Sequence, residues 1–417
     1  MPNSITSSLN SYLVGGAVRD KLLGRDIYDN DWVVVGSTIE EMLSLGFSQV
    51  GKDFPVFLHP NTKEEYALAR TERKQGKGYT GFICNADNNV SLEEDLLRRD
   101  LTINAMAMDK SGKIIDPYHG QNDVKHRILR HVSQAFVEDP LRVLRVARFA
   151  ARFHDFHFTV APETLNLMIN ISESGELLTL SAERIWQEMS RSLAEKHPEV
   201  FFQTLRQCGA LPVLWPELDA LWGIPNPEKH HPEICSGIHT MMVLQQSVKL
   251  SDKISIRFAA LCHDLGKTLT PKATWPKHYG HEKSGLPLIE KICQTLKVPN
   301  KIKSFALKVC QFHLHCHRAF ELKPQTILTL FNDLDAWRKP EEFTDFLLAC
   351  QADATGRLGF ENQLYPQADF LQALFTKANE VKATEFVKQG IKGVQIKEAM
   401  NKQKLSVIEE LALQLKP

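Results

Sequence analysis

The sequence lacks most of the features that would assign it at once to a compartment or to a covalently stapled class. It has eight cysteines, at positions 84, 208, 235, 262, 293, 310, 316 and 350, and no two form a Cys-x-x-Cys pair. That excludes a zinc knuckle built on such pairs and offers no disulfide framework, so the thiols read as reduced and the protein as cytoplasmic. No apolar run approaches the roughly 18 residues of a membrane-crossing helix; Trp32-Val33-Val34-Val35 is typical of the short runs present. The stretch Met1–Asn10 is polar and carries no signal-peptide core. There is no excess of either charge, since Lys+Arg and Asp+Glu both number 50. A globally basic, histone-like protein is thereby excluded, while a local basic stripe on a neutral protein is not. There is no fixed-period repeat and no low-complexity segment.

What is present is 417 residues, 43% of them hydrophobic, enough for about two to four domains with sizeable cores. Up to residue 139 short β-rich runs (Tyr12–Val14, Trp32–Val35, Val56–His59, Tyr66–Ala69, Lys113–Ile115) alternate with helical patterns at Thr38–Leu45, with Ser37 as N-cap, and at Leu92–Leu97 after Ser91. From Asp139-Pro140, an acceptor side chain followed by a proline suited to a first helical turn, the pattern is helical to the end. Prolines 212, 216, 225, 227 and 232 mark a linker between helical regions. The expected fold class is α+β: a head of mixed sheet and helices, then all-α regions. The expected division is 1–139, 140–225, 226–337 and 338–417.

Four motifs in the first third carry chemistry. Leu13-Val14-Gly15-Gly16-Ala17-Val18-Arg19-Asp20 takes a strand through two glycines into a short helix, a geometry that lets backbone approach a phosphate. A tight structural turn is the plainer reading. Asp29-Asn30-Asp31 leads into a strand, where residues i and i+2 share a face. Two carboxylates side by side repel unless a cation lies between them, and hard oxygens with substrate phosphates suit Mg²⁺. Arg98-Arg99-Asp100 precedes Leu101–Ala107, and guanidinium forks match phosphate oxygens. Last, Glu138-Asp139-Pro140-Leu141-Arg142 continues through Arg145 and Arg148, placing three arginines on one side of a helix. Cytosine and adenine both present an amino donor beside an unprotonated ring nitrogen, and an Asp acceptor beside an Arg donor complements that pair. Uracil and guanine present the reverse order and would leave buried polar groups unpaired.

Together and in this order, these motifs resemble those of the class II CCA-adding enzymes, tRNA nucleotidyltransferases of the DNA polymerase beta superfamily. The whole chain resembles their bacterial multifunctional form, which carries an HD domain. The resemblance implies a polymerase-beta-like head (1–139), a helical neck (140–225), an HD phosphohydrolase domain (226–337) and a helical tail (338–417). It implies that Asp29 and Asp31 bind catalytic Mg²⁺, that Gly16, Arg19 and Arg99 hold the nucleotide, that Asp139 and Arg142 read the base, and that Arg145 and Arg148 complete the nucleotide site. Arg70–Tyr79 matches the flexible loop that assists the switch from C to A. No third superfamily carboxylate is evident. The chemistry would be attack of the tRNA 3′-hydroxyl on the α-phosphorus of CTP or ATP with loss of pyrophosphate, catalysed largely by positioning and by two metal ions.

Residues 229–317 hold 9 of the 16 histidines. His239, followed by His263-Asp264-Leu265-Gly266-Lys267, resembles the HD phosphohydrolase signature, with Asp353 chosen as the distal carboxylate. Such donors suit a divalent transition metal. The resemblance implies phosphatase and 2′,3′-cyclic phosphodiesterase activity, with nickel preferred by the phosphatase. His313-x-His315-x-His317 is not expected to be a ligand set, because alternate residues of a helix do not share a face. The expected partners are tRNA, contacted by shape and backbone, together with CTP and ATP; no membrane is expected, and the chain would be a monomer or homodimer. Lys382, Lys388 and Lys392 could add RNA contacts, though solvated lysines are the simpler reading. The rival readings are a poly(A) polymerase, a CC-only enzyme, an RNA-binding or nucleotide-sensing protein with an inactive head, and an HD phosphohydrolase whose head merely binds nucleotide.

Overall fold

The computed structural model describes residues 4–27, 29–50, 56–74, 82–85, 88–229 and 231–416. Of the loop expected at Arg70–Tyr79, positions 75–79 lie outside the described residues. The chain divides into two compact units, Met1–Ser192 with Val200–Leu214, and Leu193–Glu199 with Trp215–Pro417.

The first unit is built on a seven-stranded sheet. Its strands are β1 (Asn10–Val14), β2 (Asp31–Val35), β3 (Ser48–Val50), β4 (Val56–Leu58) and β5 (Glu65–Leu68); β6 (Thr71–Lys74) and β7 (Phe82–Asn85) pair separately; β8 (Ala107–Met108) and β9 (Ile114–Ile115) return to the sheet. The order is β3-β4-β5-β2-β1-β8-β9. Only β2 and β5 run parallel within it; the other pairs are antiparallel. Alternation along β2 supplies both faces. Val33 packs with Leu92, Leu96 and Ala105 on one side, and Val34 with Met42, Phe57 and Leu68 on the other. Asp31, two residues before Val33, therefore shares the face that carries the Leu92–Leu97 helix.

Local chemistry sets the helix starts. Ser91 and Glu94 form a reciprocal capping box for Leu92–Leu97. The helix expected from Thr38 begins at Ile39, and its N-cap is Thr38, not Ser37. The Ser37 hydroxyl instead donates to the Glu41 carboxylate at 2.8 Å. Leu141–Arg152 opens with the Asp139 carboxylate accepting from the Leu141 amide at 3.1 Å. The proline-marked stretch holds the short helices Ala210–Leu214 and Pro216–Asp219.

The second unit is helical. Helices Ser236–Leu250, Ile254–Cys262, Asn300–His317 and Pro340–Thr355 pack on one another, and His281–Leu296 packs on Asn300–His317. Lys382, Lys388 and Lys392 are exposed. No disulfide links the described cysteines, and no described helix is long and apolar enough to cross a membrane.

Candidate functional sites

In the first unit the Gly15-Gly16 turn brings distant side chains together. Gly15 adopts φ +68°, a conformation that favours glycine, and a Cβ there would stand 2.9 Å from Arg99 Nη1, so a side chain would push the guanidinium aside. Arg99 is anchored by the buried Asp95 carboxylate at 3.2 Å, which also binds Arg98 at 3.0 Å. Asp31 is exposed at the start of β2. Surrounding protein raises its carboxyl pKa, Arg99 opposes the shift, and Asp29 adds to it. The Asp29 charge therefore acts on Asp31, and two neighbouring carboxylates repel unless a cation lies between them. In the parallel β2–β5 register Asp31 lies opposite Glu65, a third exposed carboxylate that the sequence reading did not find.

The arginines of the fourth motif are held by a network. Arg145 binds Asp100 at 2.7 Å, and Arg148 binds Glu188 at 2.6 Å. Arg142 donates to the carbonyls of Ala135 and Arg98. The Asp139 carboxylate takes Arg184 at 2.8 Å. Arg184 and Glu188 stand one turn apart on helix Ala182–Leu193 and reach Asp139 and Arg148 respectively. Arg19 is buried, bonded to Asp20 and Asn104 and laid over the Phe153 ring at 4.8 Å. Asn104 also donates to Asp100 at 3.0 Å, so Arg19 and Arg145 are joined through one buried carboxylate–amide pair.

In the second unit all four expected HD residues converge. His239 comes from Ser236–Leu250, His263 and Asp264 follow Ile254–Cys262, and Asp353 lies on Pro340–Thr355. His239 Nε2 is 3.2 Å from Asp353 and 3.8 Å from Asp264; His263 Nε2 is 3.2 Å from Asp264 and 3.8 Å from Asp353. All four residues are buried. His239 Nδ1 donates to the Gly356 carbonyl at 3.0 Å and His263 Nδ1 to the Ala260 carbonyl at 2.8 Å, which leaves each Nε2 as the lone-pair donor. His263 Nε2 is a buried atom without a hydrogen-bond partner. Orphaned nitrogen, oriented histidines and carboxylates make a donor set that fits a divalent transition metal. Burial acts to lower the His263 pKa, but Asp264 and Asp353 outweigh it and lift the ring to about 9, so a metal binding at Nε2 would displace a proton from it. Burial opposes the charge on Asp264 and Asp353, yet the neighbouring cations keep both well below the usual carboxylate range.

Three further histidines join them. His281 reaches Asp264 at 3.2 Å, and His317 reaches Asp353 at 2.6 Å while its Nδ1 meets the Tyr365 hydroxyl at 2.8 Å. In the run 313–315–317, His313 and His317, one turn apart, both turn toward carboxylates; His315 packs beside Phe312 instead. Asp264, His281, His313, His317, Asp353 and Arg357 line a cavity of about 400 Å³.

Fold and sites together define a nucleotidyltransferase-type head followed by an HD domain. Residues 11–130 match the poly A polymerase head domain, 157–221 the probable RNA and SrmB-binding site of polymerase A, and 237–354 the HD domain. The multifunctional CCA protein of Pseudoalteromonas atlantica is 60% identical over 397 residues, covering 95% of this chain and 98% of that protein. That of Pasteurella multocida is 57% identical over 411 residues, covering 97% and 98%. The chain belongs to the multifunctional CCA protein family. Its fold is also that of the Thermotoga maritima CCA-adding enzyme solved in complex with tRNA (TM-score 0.62, 17% identity, 98% of this chain and 92% of that one).

Proposed function

We propose that the protein adds and repairs the 3′-terminal C-C-A of tRNA from CTP and ATP, without a nucleic-acid template, in the cytoplasm. The observation that carries this reading is the meeting of Asp29, Asp31 and Glu65 at one end of β2 and β5, with Arg99 at the glycine turn exerting its charge on Asp31. Bound Mg²⁺ there supplies acidity to the attacking hydroxyl and neutralises charge on the leaving oxygen. Asp29 and Asp31 hold it, with Glu65 as third carboxylate, and Gly16, Arg19, Arg99, Arg145 and Arg148 form and brace the nucleotide site. The 3′-oxygen bonds to the α-phosphorus, the bond to the β-phosphate oxygen breaks, and pyrophosphate leaves.

Asp139 and Arg142 read the base. Asp139 accepts from Leu141 and Arg184, and each carboxylate oxygen keeps a lone pair for an amino group of C or A. Arg142 is held by the carbonyls of Ala135 and Arg98. The second unit carries a hydrolytic site in which His239, His263, Asp264 and Asp353 hold Ni²⁺ or another divalent transition metal and act on phosphomonoesters and 2′,3′-cyclic phosphates. The functional division follows 1–139, 140–225, 226–337 and 338–417, except that the HD site draws Asp353 from the helix Pro340–Thr355 of the last region. In Asp29→Ala protein, nucleotide addition is lost and phosphatase activity remains. Retained addition would remove these carboxylates from the reaction, and parallel loss of both activities would show that the two sites are not separate.

A further inference from the structure

Lys267, Lys277 and Arg357 all line the cavity beside the HD residues, and their side chains are committed very differently. Lys267 Nζ donates to Asn226 Oδ1 at 2.9 Å and sits 2.6 Å from Asp264. Lys277 is exposed and solvated. Arg357 follows the helix Pro340–Thr355 with only 21% of its side chain exposed, yet its guanidinium donates to no described residue. Nη2 lies 3.7 Å from Asp353 Oδ1, near enough for attraction and too far for a hydrogen bond. Asp353 is already engaged by His239 at 3.2 Å and His317 at 2.6 Å. Arg357 Nε is a buried donor without an acceptor, which is costly, the more so on a charged group. The backbone on either side is fixed by other contacts. The Gly356 carbonyl accepts from His239 Nδ1 at 3.0 Å, and the Leu358 amide donates to Glu233 at 3.3 Å. A Cβ on Gly356 would stand 2.6 Å from Val243 Cα, so glycine lets this turn lie against helix Ser236–Leu250. Arg357 is thus held at the cavity by contacts that its own guanidinium does not make.

Tyr279 lines the same cavity and is 77% exposed. Its neighbours are anchored. His278 bonds to the Pro225 carbonyl at 2.8 Å and to the Thr270 hydroxyl at 2.7 Å, and Gly280, at φ +78°, caps helix His281–Leu296. An aromatic side chain left in water on a fixed backbone is a ready stacking surface. We infer that Arg357 holds the non-bridging oxygens of the substrate phosphate in the second unit, and that Tyr279 stacks on the base of a nucleotide ester. The inference rests on the hydrolytic reading of the second unit given above. A guanidinium keeps its proton at any working pH, and its planar fork matches two phosphate oxygens. A phosphate supplies the acceptor that Nε lacks, and its charge offsets a cation whose nearest carboxylate is taken up by two histidines. Stacking is tolerant of base identity, so the site accepts esters of any nucleoside and disfavours those without a base.

The test uses Ni²⁺-loaded full-length protein carrying Asp29→Ala and Asp31→Ala, so that the head holds no metal. Three quantities are measured: Ni²⁺ bound per chain, affinity for inorganic phosphate by calorimetry, and KM for adenosine 2′,3′-cyclic phosphate and for glycerol 1,2-cyclic phosphate, which has no base. Arg357→Gln should bind phosphate roughly 10- to 150-fold more weakly and raise KM for both esters, with Ni²⁺ content unchanged. Arg357→Lys, which keeps the charge and loses the fork, should fall between that variant and the parent, and it decides the matter if Arg357→Gln fails to fold. Tyr279→Ala should raise KM for the adenosine ester by roughly 5- to 150-fold and leave the glycerol ester and phosphate affinity as they were. Phosphate affinity equal to the parent's in the Arg357 variants would overturn the phosphate role. Loss of Ni²⁺ together with phosphate would also overturn it, making Arg357 a support for Asp353. Equal changes for the two esters in Tyr279→Ala would overturn the stacking role. A parent that hydrolyses neither ester would remove the hydrolytic reading itself, and the inference with it.

Discussion

Replacing Asp100 with alanine should loosen the helix Leu141–Arg152 by an amount that the structure sets. The buried carboxylate accepts from the Leu101 amide at 2.8 Å, Asn104 at 3.0 Å, and Arg145 Nε and Nη2 at 2.8 and 2.7 Å. Removing one member of a buried pair costs about 3–5 kcal/mol because the other charge is left uncompensated. Arg145 keeps 32% of its side chain exposed and has Glu188 at 3.9 Å, so solvent screening places the loss near the bottom of that range, about 3 kcal/mol. At about 1.4 kcal/mol per tenfold, that is roughly a 150-fold fall in hydrogen-exchange protection. Exchange read on peptides from Leu141–Arg152 measures it locally and avoids treating a two-unit chain as one cooperative transition. The pH dependence has a definite sign. Burial opposes ionisation of Asp100, but Arg145 and the hydrogen bonds outweigh it and hold its pKa well below the usual carboxylate range. A depressed folded-state pKa gives stability that is full above the unfolded value of about 3.9 and is lost as pH falls toward the folded one. The difference between wild type and variant should therefore be constant from pH 7 to about 5 and shrink below about 4. A change in protection under threefold, or a difference that does not respond to acid, would refute the reasoning.

Other substitutions probe separate parts of the account. On the proposed reading Asp139→Ala removes the acceptor for the base's amino group, so discrimination against UTP should fall by roughly 5- to 150-fold, the worth of about 1–3 kcal/mol in unpaired groups; competition assays with mixed nucleotides measure it. Gly266→Ala should lower phosphatase activity while leaving nucleotide addition intact, because a Cβ there would stand 2.0 Å from the His281 carbonyl oxygen and force the His281 helix away. Tyr365→Phe removes the hydroxyl that meets His317 Nδ1, and the phosphatase pH profile should shift with little change in metal content. Chelator treatment should abolish phosphatase activity, and added Ni²⁺ or Co²⁺ should restore it.

Much of this arrangement is legible in local sequence, and the remainder depends on contacts that have no local signature. Alternation in Trp32–Val35 and the Ser91 cap give elements to within a residue or two, and the four head motifs with His239, His263-Asp264 and Asp353 name most of the converging side chains. Glu65 was hidden because only the parallel register of β2 and β5 sets it opposite Asp31. Arg184 and Glu188 reach partners 45 and 40 residues away; their i,i+4 spacing on an amphipathic helix was the available signal. His281 looked like one more histidine until the glycine-permitted approach of its helix brought it to Asp264. The rule that alternate helical residues diverge explains why His315 leaves the site, but it hid the one-turn spacing of His313 and His317.

The most direct measurement supplies the purified protein with Mg²⁺, CTP and ATP and a tRNA transcript lacking its 3′ end, then sequences the product termini. The account predicts uniform C-C-A ends, made by wild type and absent with Asp31→Ala. Tails of A alone, or no extension where a matched control enzyme extends the same transcript, would contradict it.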